Sequence, residues 1–167
     1  MAKPSTSMPR PCVPIKTHRA RQKKGAQQVG HSRSGASTKV HAVVDALGNP
    51  VRLKLTEGQA HEMTVALELV DGLRNADVAA DKAYDSQALI TQLERNGCRA
   101  LIPSNRRGST SERPRRPIDG HAYRARHLVE NFFQRIKRFR RIAIRYDKLG
   151  RTFLAFLHLV SVLIWLL

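Results

Sequence analysis

TKVHAVVDALGNPVRLKL, residues 38–55, is the stretch on which the fold turns. Val40, Ala42 and Val44 alternate with Lys39, His41 and Val43, the period-two pattern of a strand. Leu47-Gly48-Asn49-Pro50 supplies turn chemistry, after which Val51, Leu53 and Leu55 alternate with Arg52 and Lys54. Two strands joined by so short a turn read as an antiparallel hairpin.

Downstream the period lengthens. Ala60, Met63, Leu67 and Val70, with Ala66, Leu69 and Leu73, predict one apolar face of a helix over 59–73. Val78 to Ala80 read as a short strand with Asp81 at its carboxyl end. Ser86 suits the cap of a helix carrying Leu89, Ile90 and Leu93, Gly97 suits its stop, and Cys98 to Ile102 form another strand. Residues 103–118 are a basic loop rich in arginine and proline, and helices over 119–141 and 149–167 close the chain. Strands interleaved with helices after an initial hairpin predict a mixed α/β sheet. Ligands of such sheets gather at the carboxyl ends of strands, where Asp81 stands, although a strand-end Asp equally serves as a helix cap.

Upstream, residues 1–37 are rich in Pro, Ser, Gly and basic side chains, and Pro4, Pro9, Pro11 and Pro14 interrupt any helix. They read as a basic, disordered arm, leaving 38–167 as the folded domain. The charge is divided accordingly: +9 over residues 1–40, −3 over 41–104 and +11 over 105–167, for a net +17. A near-neutral middle between two basic segments implies a polyanionic partner, DNA or RNA, held through phosphates. Cys12 and Cys98 make neither a disulfide framework nor a zinc spacing, which fits a reducing cytoplasm. The apolar run Phe153 to Leu167 is shorter than the roughly 20 residues a membrane helix needs, so no membrane partner is expected.

The helix around Glu130 carries the chemistry. At about 100° per residue, Tyr123, Arg126, Glu130 and Lys137 share one narrow stripe, whereas Ala125, Leu128, Phe132, Ile136 and Phe139 form a separate face for the core. Arg126 and Glu130 alone could be an ordinary i,i+4 ion pair. An acid among bases also suits a place where a metal ion and a phosphodiester meet, since carboxylates hold magnesium and cations orient phosphate oxygens.

These four residues resemble the Y-x2-R-x3-E-x6-K signature of insertion-sequence transposases of the Asp-Asp-Glu type. The stretch ADKAYDS, residues 80–86, is similar to the second-Asp motif of that family; Gly30 to Pro50, Gly58 to Glu62 and Arg140 to Asp147 resemble it too, in family order. The resemblance implies a ribonuclease-H-like mixed sheet flanked by helices, and metal-dependent cleavage and strand transfer of DNA. It implies Asp81 and Glu130 as ligands of Mg2+, with Mn2+ as an alternative, and Tyr123, Arg126 and Lys137 as DNA contacts. It further implies double-stranded transposon ends and target DNA as partners, an oligomer on DNA, and a cytoplasmic, nucleoid-associated location.

Two departures stand against it. Ala83 replaces a usual Gly, which would strain the turn if that position needs positive φ. The family's first Asp falls on Pro11, ahead of Cys12, Val13 and Pro14, so the first strand is expected to be degraded or incomplete. Asp45 is a weak substitute beside its turn. The upstream DNA-end-binding part is also lacking, and a product of an upstream reading frame is expected to supply it. The rival expectations are a non-enzymatic DNA-binding remnant or inhibitor and, behind it, an RNA-binding structural protein.

Overall fold

The computed structural model describes residues 12–22, 30–32, 35–104, 117–147 and 149–167. Its inner strand is β1 (Cys12–Gln22), with one partner on each side. On one side β3 (Gly35–Val44) runs antiparallel, Ile15 facing Val43; β2 (Gly30–Ser32) and β4 (Pro50–Glu57) continue antiparallel from β3. On the other side β5 (Asp77–Ala80) runs parallel, Ile15 facing Ala80, and β6 (Arg99–Leu101) follows it in parallel. The two-residue β7 (Ile144–Arg145) joins the far end of β1. This is the mixed sheet that was expected.

Residues 12–22 form an 11-residue strand, where the expectation was a disordered arm with a remnant of the first strand. A strand between two partners takes its order from both ladders, which low apolar content does not reveal. Pro14, which has no N–H to give, pairs only with Ala79, because the β3 ladder begins at Ile15. The rest of the expected arm, and residues 105–116 of the basic loop, lie outside the described residues.

The hairpin forms as read, from Thr38 opposite Glu57 to Val43 opposite Arg52. Asp45 closes its turn by accepting from the Leu47 and Asn49 amides at 2.8 and 2.9 Å, and Gly48 supplies the φ of +86°. Both faces of β3 are buried, so Lys39, His41 and Val43 are as enclosed as Val40, Ala42 and Val44. One face meets α1 (Ala66–Val70) and α2 (Gln87–Arg95) in a core holding Val13, Val43, Val78, Leu69 and Leu89. The other meets α4 (His127–Lys137) and α6 (Gly150–Leu166) in a core holding Val40, Ala42, Phe132, Phe153 and Leu157. Helices therefore cover the sheet on both sides.

Two helices differ from their expected spans. The 59–73 helix is a 3-10 turn, Glu62–Thr64, followed by α1; Val65, Ala66, Leu69 and Val70 are buried and Leu67 is 46% exposed. The 119–141 helix is three pieces, α3 (Gly120–Arg124), α4 and α5 (Arg140–Ala143). Between α3 and α4 the Arg126 and Leu128 amides donate to the carbonyls three residues back, at 3.0 Å each, a tightened turn that advances the phase of the helix. The buried face of α4 is accordingly Val129, Phe132, Phe133 and Ile136; Leu128 is only partly buried and Phe139 is 37% exposed. α2 keeps its expected ends, with Ser86 Oγ accepting from the Leu89 amide and Gly97 at φ +69°. On α6, Trp165 Nε1 donates to the Pro50 carbonyl at 2.9 Å. Among the described residues no helix is long and apolar enough to cross a membrane.

Candidate active site

β5 is buried along its whole length, and its register beside β1 leaves Asp81 as the first residue beyond the strand. The next residues, Lys82–Tyr84, make a 3-10 turn. Ala83 sits in that turn without positive φ, so the substitution of the usual Gly brings no backbone strain. Tyr84 is buried, and its hydroxyl lies 3.3 Å from Nδ1 of His41, whose Nε2 is 2.7 Å from Thr56 Oγ1. In the neutral ring one nitrogen donates and the other accepts, and hydroxyl partners can do either. Burial pushes the His41 pKa down to about 4, with nearby Glu62 opposing and Lys39 adding to the shift. The turn that presents Asp81 is thus tied through Tyr84 to the middle of β3.

The opposite wall comes from α3 and α4. Asp119 caps α3, accepting from the His121 and Ala122 amides at 2.9 and 3.2 Å. Arg99 reaches both Asp77, at 2.5 and 3.0 Å, and Asp119, at 3.8 Å, so α3 starts beside the amino end of β5 and leads Tyr123 toward its carboxyl end. There the two walls meet. Arg126 Nη1 lies 3.1 Å from Asp81 Oδ1, and Nη2 lies 2.9 Å from Glu130 Oε1. The guanidinium is also 5.9 Å from the centroid of the Tyr123 ring. Burial raises the Tyr123 pKa, with Arg126 lowering it and the charges of Asp81 and Glu130 raising it further, so the phenol keeps its proton at neutral pH.

Four of the five residues singled out by sequence, Tyr123, Arg126, Asp81 and Glu130, therefore come together. Lys137 does not join them: it lies seven residues beyond Glu130 on α4, roughly 10 Å along the axis, and makes no ion pair among the described residues. The two carboxylates bring hard oxygen donors to the two nitrogens of one guanidinium, half-exposed at 42% and 38%. Two carboxylates completed by water and phosphate oxygens are an ordinary set for magnesium, so the pair fits such an ion as a partial ligand set. A third acid is missing: among the described residues no three His, Cys, Asp or Glu side chains gather as a metal site. Asp45 spends its oxygens on its own turn. Pro11 lies outside the described residues, and its neighbour Cys12 faces Asp77, about 13 Å of strand from Asp81.

The remaining motif segments hold the scaffold. His61 accepts from the Met63 amide at the start of its 3-10 turn, and Glu62 pairs with the nearly buried Lys39 at 2.8 Å. Asp147 receives two hydrogen bonds from Arg141, which lower its pKa, while buried Arg145 bonds Thr38 Oγ1 and the Asp147 carbonyl and stacks on Phe153. The sequence reading missed the His41–Tyr84–Thr56 link and the Asp77–Arg99–Asp119 link. Their signal was there only as the polar residues His41, Thr56, Asp77 and Arg99 inside strands.

With this geometry in hand, comparison with known proteins is direct. The family described as Transposase DDE domain matches residues 12–165. The chain belongs to that family. A Brucella ovis protein named as a transposase for insertion sequence element IS6501 is 40% identical over 137 residues, 78% of this chain and 98% of that protein. The piggyBac transposase, solved as a synaptic complex with hairpin DNA, superposes with a TM-score of 0.45 at 14% identity, over 64% of this chain and 27% of the piggyBac chain. The chemistry of the transposase DDE domain family is phosphoryl transfer on DNA, and its members generally use divalent metal ions.

Proposed function

We propose that this transposase domain cuts DNA and joins the freed strand to a target, with Asp81 and Glu130 as its cation ligands. The observation that carries the reading is the convergence of these two acids, from β5 and α4, on Arg126. A bound Mg2+ or Mn2+ would supply the positive charge that activates a water or 3′-hydroxyl and steadies the departing oxygen. Around it, Arg126 can donate two parallel hydrogen bonds to phosphate oxygens, and the protonated Tyr123 hydroxyl can donate a third. Lys137, further along α4, suits the next phosphate of the strand rather than the scissile one. The basic flanks would hold double-stranded DNA in a cytoplasmic, nucleoid-associated oligomer, with an upstream-frame product supplying the missing acid and the recognition of DNA ends.

The rival reading, a DNA-binding remnant or inhibitor, draws on the absence of a third acid among the described residues. One assay separates the two. Nicking of DNA carrying the element's ends is expected only with Mg2+ or Mn2+, to be weak in this chain alone, and to vanish in Asp81→Ala and Glu130→Ala. DNA retention without metal-dependent cleavage, even with an upstream product added, would leave the remnant reading in its place.

A further inference from the structure

Arg126 does something that an i,i+4 ion pair does not. Its local partner is Glu130, four residues on, but its other guanidinium nitrogen crosses to Asp81, 45 positions earlier in the chain. One monovalent cation thus spans the two acids from different walls of the cleft, with Tyr123 beside it. The three side chains stay 26–42% exposed, so a phosphate arriving from solvent can reach the guanidinium. We propose that Arg126 is the resident counter-ion of the acidic pair and that a DNA phosphate is what draws it away, so DNA binding and cation uptake are mutually dependent. This rests on the reading of Asp81 and Glu130 as a cation site.

The physical argument is one of competition. A divalent ion must approach carboxylate oxygens to about 2.0–2.1 Å, and here one oxygen of each acid is engaged by a fixed positive charge about 3 Å away. Cation and guanidinium repel each other, and both favour the same two acids. A phosphodiester offers Arg126 a bidentate partner of equal charge to either carboxylate, at no cost in geometry because Arg126 is planar and pre-forked. Once the guanidinium turns to the phosphate, both acids are relieved of its positive charge and the phosphate stands beside them as a further ligand for the ion. Linkage then requires that whatever DNA does for the cation, the cation does for DNA by the same factor. A site built this way holds its metal more tightly when substrate is present.

The test titrates Mn2+ into the full chain, alone and with a saturating short duplex, following free ion by electron paramagnetic resonance. The double variant Asp81→Ala/Glu130→Ala, titrated with the same duplex, gives the uptake due to DNA itself. Wild type is expected to bind Mn2+ on the order of tenfold more tightly with DNA than without. Arg126→Gln is expected to bind it without DNA more tightly than wild type does without DNA, and to gain less from DNA than wild type gains. Arg126→Lys, which keeps the charge but cannot fork across two acids, should fall between them and guards against a misfolded Gln variant. Equal Mn2+ affinity of wild type and both Arg126 variants in the absence of DNA would overturn the counter-ion role while leaving the cation site standing. If no form binds Mn2+ above the double-variant baseline, the cation site falls and this proposal with it.

Discussion

That Asp81 and Glu130 come together was legible because each sits in a short motif at the start or end of an element, and residue types at fixed spacing survive being read one dimension at a time. The bridge between them was not legible. Arg126 looks like a helical ion pair in the sequence because its second partner lies on a strand far back in the chain. His41 escaped for a similar reason: within an alternating strand it reads as an outward polar residue, yet helices cover both faces and it is fully enclosed. That enclosure predicts a pH dependence. The folded-state pKa near 4 lies below the ordinary value of 6.5, so below pH 6.5 the unfolded chain takes up a proton that the folded chain refuses. Stability from this group is complete above about pH 6.5 and is lost as pH falls toward 4, by about 3 kcal/mol in all. Urea midpoints between pH 4 and 7 should show this acid slope, and His41→Gln should flatten it; an unchanged slope would remove His41 as its source.

The short elements were read well where a cap or stop is written in a single residue and poorly where phase matters. Ser86 and Gly97 bound α2 as expected, since each acts on its own backbone. Replacing Ser86 by Ala removes the acceptor for the Leu89 amide and should cost about 1 kcal/mol in chemical denaturation, with no change in DNA affinity. The long helix, by contrast, changes phase at one tightened turn, and a wheel drawn straight through it assigns Phe139 to the core and leaves out Val129 and Phe133. β1 is the harder case, because neither its composition nor its Pro14 advertises an inner strand. Its register also bears on repair. Cys12 faces the start of β5 while Asp81 follows its end, so Pro11→Asp alone is expected to change Mn2+ affinity less than twofold. A tenfold gain would show that β1 slides by several residues when the site is loaded.

For the whole molecule, charge was the most readable property, because it needs no fold to be counted. A net +17 that arises wholly from the two flanking segments predicts duplex binding that is tight at low salt and weakly dependent on sequence. The logarithm of the association constant should fall linearly and steeply with the logarithm of salt concentration; a flat response would contradict phosphate contacts. What charge could not say is how the last helix is held. α6 places Phe153, Leu157, Val160 and Ile164 in the core and ends by giving the Trp165 indole proton to Pro50 at the start of β4. Trp165 is the sole tryptophan of the chain, so its fluorescence is a built-in optical reporter for one joint, where the chain's end meets the hairpin. Because α6 shares its core with β3 and α4, the emission shift in urea should coincide with the loss of far-ultraviolet circular dichroism. An earlier emission shift would mean that the last helix lets go first, and the same colour change on mixing with DNA would then reveal whether binding tightens or loosens that joint without any label being attached.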